Sequence, residues 1–152
     1  MHQCRCGPLD VERYRSRVSG PLLDRIDIHL EVPAVAYREL VAGEAEEPSA
    51  AIRARVEGAR EVQRARFRGQ PGVHANAHMT ARDLRKHCRL GEEVETLLRT
   101  AVTRLGLSAR AYNRVLKIAR TIADLAGAGE LATAHVAEAI QYRSLDRRKV
   151  AA

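Results

Sequence analysis

In a chain whose other periodic stretches are helical, one segment alternates strictly. From Ile26 to Val32, Ile26, Ile28, Leu30 and Val32 are apolar, and Asp27, His29 and Glu31 between them are polar. Period two, β-branched side chains and a stop at Pro33 predict a strand with one buried face. No other segment offers it a partner, so it would carry an unpaired edge on each side. A lone strand needs a sheet from elsewhere, and that constrains the fold more than any other feature. Just ahead, Gly20-Pro21 signals a turn, followed by Leu22-Leu23-Asp24-Arg25. Arg25 is thereby presented at the mouth of the strand. A guanidinium held there can set a fixed, charged fork on a phosphate outside its own chain. The alternative is an ion pair with Asp24 or Asp27.

The remaining periodicity predicts helices. Asp10 to Arg17 forms a short basic one, with Val11, Tyr14 and Val18 at three-and-four spacing and Asp10 as its cap. Ser49 to about Gly69 forms a long one. Its apolar stripe is Ile52, Val56, Ala59 and Val62, and Arg53, Arg60, Arg64 and Arg68 lie on another face. Those arginines are either solvated and paired with Glu57 and Glu61, or track a phosphate backbone. Thr80 and Asp83 have capping-box spacing for a helix to Cys88, itself a buried small hydrophobe. Glu92 to Leu105 ends at Gly106. Ser108 caps the next helix, with Tyr112, Val115, Leu116, Ala119, Ile122 and Ala126 inward and Arg110, Arg114 and Lys117 on another face. Arg110 falls in the first turn, where outward N–H groups favour an anion. Thr133 caps a last helix, with Val136, Ala139 and Ile140 inward, and a basic tail of Arg143, Arg147, Arg148 and Lys149 follows. Ala42 to Ser49, with Gly43 and Pro48, reads as a linker.

Composition narrows the class. Aromatics are 3% and Trp is absent while 45% of residues are hydrophobic, so the core must be Leu, Val, Ile and Ala. A net charge of +7 suits a polyanionic partner. The odd count of 3 cysteines argues against a disulfide framework, and a reducing cytoplasm is expected. No apolar run reaches bilayer length, so no membrane partner is expected. There is no G-x-x-x-x-G-K-[S/T] loop and no apolar run ending in paired acids, so the parts that bind and cleave a nucleotide are missing from this sequence. Cys4 and Cys6, even with His2, do not complete a zinc set, and His87 and Cys88 lie far along the chain. His74 and His78 have i, i+4 spacing but no third ligand at a fitting distance. No metal site is assigned.

Two stretches carry a resemblance. Ser19 to Pro33, SGPLLDRIDIHLEVP, resembles the segment closing the AAA+ core in magnesium-chelatase-like ATPases of the ComM/YifB branch. Leu107 to Arg114 with Arg120 to Leu125 resembles the lid helix of the same family. The resemblance implies an arginine finger at Arg25, acting in trans on a neighbouring subunit's nucleotide. It implies a sensor-2 arginine at Arg110, with Arg114 on the same face as second choice. The fold implied is mostly α: the tail of an AAA+ core over residues 1–42 (a short helix plus one strand), a linker over 43–50, and an all-α lid over 51–152. ATP and Mg²⁺ are implied only together with a complete core. The partners implied are that missing core or neighbouring ring subunits, with DNA, or a chelatase-type target, as what the ring acts on. The chain alone is expected to hydrolyse no ATP. ComM-like proteins have a second cysteine pair and a nucleotide-sensing asparagine upstream of this region. Neither is present, so the chain is expected to be the downstream part of such a protein. A reading of another class is a stand-alone basic helical module that binds nucleic acid.

Overall fold

The computed structural model describes residues 5–23, 25–35, 37 and 47–143. In chain order these form α1 (Pro8–Ser16), α2 (Gly20–Leu23), α3 (Ser49–Arg66), a 3-10 turn (Asn76–His78), α4 (Ala81–His87), α5 (Glu92–Leu105), α6 (Ala109–Leu125) and α7 (Thr133–Gln141). Helix α6 is the axis. Helices α3, α4 and α7 and the 3-10 turn all pack on it, and α7 also packs on α5. Small side chains permit this close approach: Ala111, Ala119 and Ala123 of α6 and Ala139 of α7 are buried. Around them Leu98, Val115, Leu116, Val136 and Ile140 close the core. The chain's only Phe, Phe67, joins it, with the His87 ring edge-on at 5.7 Å.

Local chemistry sets the ends of these helices. Ser108 Oγ accepts the Ala111 N–H at 3.1 Å, as the sequence predicts. Thr80 and Asp83 complete their capping box: the Thr80 N–H donates to Asp83 at 2.8 Å, and the Asp83 N–H to Thr80 Oγ1 at 3.3 Å. Gly106 closes α5 at φ +60°, a left-handed position suited to glycine. Helix α1 starts earlier than expected, after Gly7, because Pro8 is well placed in a first turn. Asp10 is its third residue rather than its cap, and accepts the Gly7 N–H at 3.2 Å.

Four sequence expectations are corrected. No strand is assigned over residues 26–32, or anywhere among the described residues. The apolar face is not buried there: Leu30 is 68% exposed and Val32 89%, while His29 alone of the segment is buried, at 6%. The apolar stripe of α3 is buried only at Ala59, while Ile52, Val56 and Val62 are exposed and Gln63 is buried instead. The inward face of α6 is rotated, so that Arg120 and Asp124 are buried and Ile122 only partly so. Arg143, expected in a basic tail, is wholly buried. The rest of that tail, most of the linker, and Cys4 and Asp24 lie outside the described residues.

The rotation of α6 follows from a polar knot. The Asp124 carboxylate accepts both Arg66 Nη atoms at 2.6 and 2.5 Å, Asn76 Nδ2 at 2.7 Å and Arg120 Nε at 3.1 Å. Gln63 Oε1 accepts the Asn76 N–H at 3.1 Å. Arg120 also donates to the carbonyls of Gly129 and Ala128, at 2.8 and 2.5 Å. The knot joins α3, the 3-10 turn, α6 and the turn into α7. Such a network stabilises only if each buried polar group has a partner.

Cys88 is buried, as the sequence predicts, and burial pushes its thiol up to about 11. Native-state alkylation at neutral pH should therefore modify exposed Cys6 and spare Cys88 until the chain is unfolded. Peptide mass mapping checks this; equal labelling of the two would contradict it.

Candidate nucleotide-facing site

The one-turn helix α2 begins after Ser19, whose carbonyl accepts the N–H groups of Leu22 and Leu23 at 3.1 Å each. It delivers the chain to Arg25. The Arg25 side chain is exposed, and its Nη1 donates to the Pro21 carbonyl at 3.1 Å. Among the described residues it pairs with no carboxylate. Asp27, one of the two acids the sequence offered it, instead forms an ion pair with Arg114.

Arg114 is the link between the turn and α6. Besides Asp27 it holds the Arg25 carbonyl, through Nη1 at 3.0 Å. The end of α7 holds the next residues: Arg143 Nη1 donates to the Ile26 carbonyl, and the Tyr142 carbonyl accepts the His29 N–H at 2.8 Å. The segment is thus fastened by its backbone and by the Asp27 carboxylate. That accounts for buried His29 and an outward apolar face. Arg114→Ala should speed exchange of the His29 amide by about tenfold or more, because two charge-assisted contacts are lost. Hydrogen-exchange mass spectrometry reads this directly, and an unchanged rate would mean Arg114 does not hold the segment.

Three cations share one face of α6, and they differ in what occupies them. Lys117 Nζ donates to the Ala77 carbonyl at 2.8 Å; desolvation, with Arg114 nearby, pushes its pKa down. Arg114 is committed to the Arg25 carbonyl and to Asp27. Arg110 is exposed and has neither hydrogen bond nor ion pair among the described residues. It lies in the first turn of α6, four residues or about 6 Å along the axis from Arg114. Arg114 thus ties the Arg25 turn to α6, and Arg110 stands one turn earlier on the same helix.

Among the described residues no three His, Cys, Asp or Glu side chains converge on one point. The two histidines at i, i+4 spacing are occupied with each other: His78 Nδ1 accepts the His74 N–H at 3.3 Å. No described helix is long and apolar enough to cross a membrane. Sequence reasoning missed the Arg114–Asp27 pair and the Arg143 anchor, which join residues far apart in the chain and leave no periodic signal.

Comparison with known proteins agrees with this layout. The family described as magnesium chelatase, subunit ChlI C-terminal, matches residues 46–143, and magnesium chelatase, subunit ChlI, matches residues 1–40. Competence protein ComM of Haemophilus influenzae is 39% identical over 144 residues, 94% of this chain and 27% of its own. YifB of Escherichia coli, an uncharacterized protein, is 40% identical over 147 residues, 94% of this chain and 28% of its own. An uncharacterized protein of Mycobacterium tuberculosis is 34% identical over 146 residues, covering 96% and 29%. The chain thus spans just over a quarter of the length of these relatives. With a helical body matching the C-terminal family over 46–143 and residues 1–40 matching the family described as subunit ChlI ahead of it, this chain belongs to the magnesium-chelatase-like family of AAA+ proteins, alongside ComM and YifB.

Proposed function

We propose that these residues close the nucleotide-binding core of an AAA+ ring ATPase and supply its helical lid. Residues 1–42 are the end of the core, 43–50 the linker and 51–152 the lid. Arg25 reaches the nucleotide of the neighbouring subunit and stabilises the charge that develops as the terminal phosphoryl group transfers. Arg110 binds the phosphates held by its own subunit's core, helped by the N-terminal end of α6. Mg²⁺, when bound with ATP in a complete core, would neutralise phosphate charge; its ligands would come from that core. What carries this reading is the contrast among the arginines: Arg114 is committed inside the molecule, whereas Arg25 and Arg110 face outward beside it.

The exposed apolar edge at Ile28, Leu30 and Val32 supports the same reading, because it suits a sheet supplied by the rest of a core. The chain by itself should show no ATP hydrolysis above a mock preparation. A chimera in which residues 1–152 replace the matching segment of the Haemophilus relative should turn ATP over. Turnover by the isolated chain would overturn the proposal.

DNA as what the ring acts on has one observation in its favour. Arg60, Arg64 and Arg68 line a hollow of about 650 Å³ with the Gly69–Pro71 turn and His74. The Arg64–Glu61 pair there is exposed, at 3.6 Å, and such pairs contribute little. This hollow also favours the second reading, a basic module that binds nucleic acid without nucleotide. Salt-dependent DNA binding that ignores ATP and survives Arg25→Ala would select that reading.

A further inference from the structure

Ten residues beyond Arg110, about 15 Å along α6, Arg120 backs a different hollow. It encloses about 220 Å³ between the end of α4 and the turn into α7. Its wall includes Lys86, His87, Arg89 and Glu130 together with Arg66 and Arg120. Lys86 and Arg89 are exposed, whereas the side chains of Arg66 and Arg120 are nearly buried.

Three observations converge on an anion. First, charge: four fixed cations face Glu130 in the wall and Asp124 behind it, leaving an excess of two positive charges. Second, donor capacity: a guanidinium has about five N–H donors. Arg66 makes three hydrogen bonds and so does Arg120, so both keep donors in reserve. Third, an unmet need: His87 Nε2 is buried and finds no hydrogen-bond partner among the described residues. Burial lowers the His87 pKa, and the charges of Lys86, Arg66 and Arg120 lower it further against the opposing Asp83. An unpartnered buried nitrogen is costly, and a bound acceptor would relieve it.

We propose that this hollow binds a compact phosphate dianion, either inorganic phosphate or a terminal phosphate monoester. Two charges on the ligand match the local excess, and its several oxygens can accept from Lys86, Arg89, both guanidiniums and the His87 Nε2–H at once. A backbone phosphodiester carries only one charge per group and suits the site less. The proposal stands apart from the nucleotide-facing arginines and does not depend on them.

The full ¹⁵N-labelled chain would be titrated with sodium phosphate at fixed ionic strength, following the Lys86, His87, Gly129 and Glu130 amides and the His87 ring nitrogens. Saturable shifts confined to these positions are expected, with the His87 pKa rising as the anion binds, since a nearby negative charge favours the protonated ring. Lys86→Gln with Arg89→Gln, both on the exposed rim, should weaken binding by about tenfold or more. Arg60→Gln with Arg64→Gln should leave it unchanged. A 5′-phosphorylated dinucleotide beside its dephosphorylated form identifies the source: binding of the first alone adds terminal monoesters, and binding of inorganic phosphate only assigns the free anion. No saturation with either probe, or shifts that persist in the Lys86/Arg89 double variant, would overturn the proposal.

Discussion

Arg25→Ala, placed in the ring-forming chimera, should lower ATP turnover by about a thousandfold while leaving nucleotide affinity nearly unchanged. The reason is where the charge sits. A finger from a neighbour touches charge that develops only as the phosphoryl group transfers, so its loss falls on kcat rather than on ground-state binding. Arg25→Lys should restore little, because an ammonium cannot reproduce the planar fork. Arg110→Ala should behave differently. An arginine on phosphates already present in the ground state contributes to binding, so its removal should raise the nucleotide KM by roughly tenfold to a hundredfold. Steady-state kinetics on the three variants separate these roles. A large KM effect from Arg25→Ala, with kcat intact, would reverse the assignment.

Asp124→Ala should cost about 3–5 kcal/mol of folding free energy, because it leaves Arg66 and Arg120 as buried cations without their shared carboxylate. For a domain of this size that lowers Tm by roughly 15 °C or more, read by circular dichroism. Asp124→Asn keeps the volume but removes the charge, and should also be destabilising. Acid should reproduce the effect. Burial alone would raise the Asp124 pKa, but the hydrogen bonds from Arg66 and Asn76 and the charges of Arg66 and Arg120 outweigh it, so the pKa lies below the usual value. A carboxyl whose folded pKa is depressed contributes in full above its unfolded pKa of about 4 and loses that contribution as pH falls through the folded value. The stability gap between wild type and Asp124→Asn should therefore be widest near neutral pH and narrow in strong acid. A gap independent of pH would mean that the charge on Asp124 is not what holds the knot.

Much of the body was legible because its signals are local. Ser108, Thr80 with Asp83, and Gly106 act within a turn or two, and the structure places each where the sequence puts it. Cys88, Val136, Ala139 and Ile140 were inward by period alone and are buried. What was not legible depended on distant partners. Arg120 and Asp124 at i, i+4 look like an exposed helical ion pair; only Arg66 and Asn76, far back in the chain, turn them inward. Arg143 looked like one more charge in a tail, and is buried because it holds the Ile26 carbonyl. The alternation at 26–32 was read as a strand with one buried face, and the segment is neither: no strand is assigned and only His29 is buried. Apolar residues face inward only where something covers them, and among the described residues the segment is held by its backbone and by the Asp27 carboxylate. Of the site, the sequence and its resemblance supplied Arg25 and Arg110. That Arg114 holds the Arg25 carbonyl needed coordinates.

The central claim is that each active interface draws Arg25 from one subunit and Arg110 from the next. Mixing Arg25→Ala and Arg110→Ala populations of the chimera, at ATP too dilute for the Arg110→Ala ring to turn over, tests it most directly. If Arg25 serves the neighbour and Arg110 its own subunit, random mixing creates interfaces with both arginines intact. ATP turnover should then recover to about a quarter of the unsubstituted ring, since each site is built from two adjacent subunits. Mixtures no more active than either variant alone would contradict the account, because both arginines would then serve the same subunit's nucleotide.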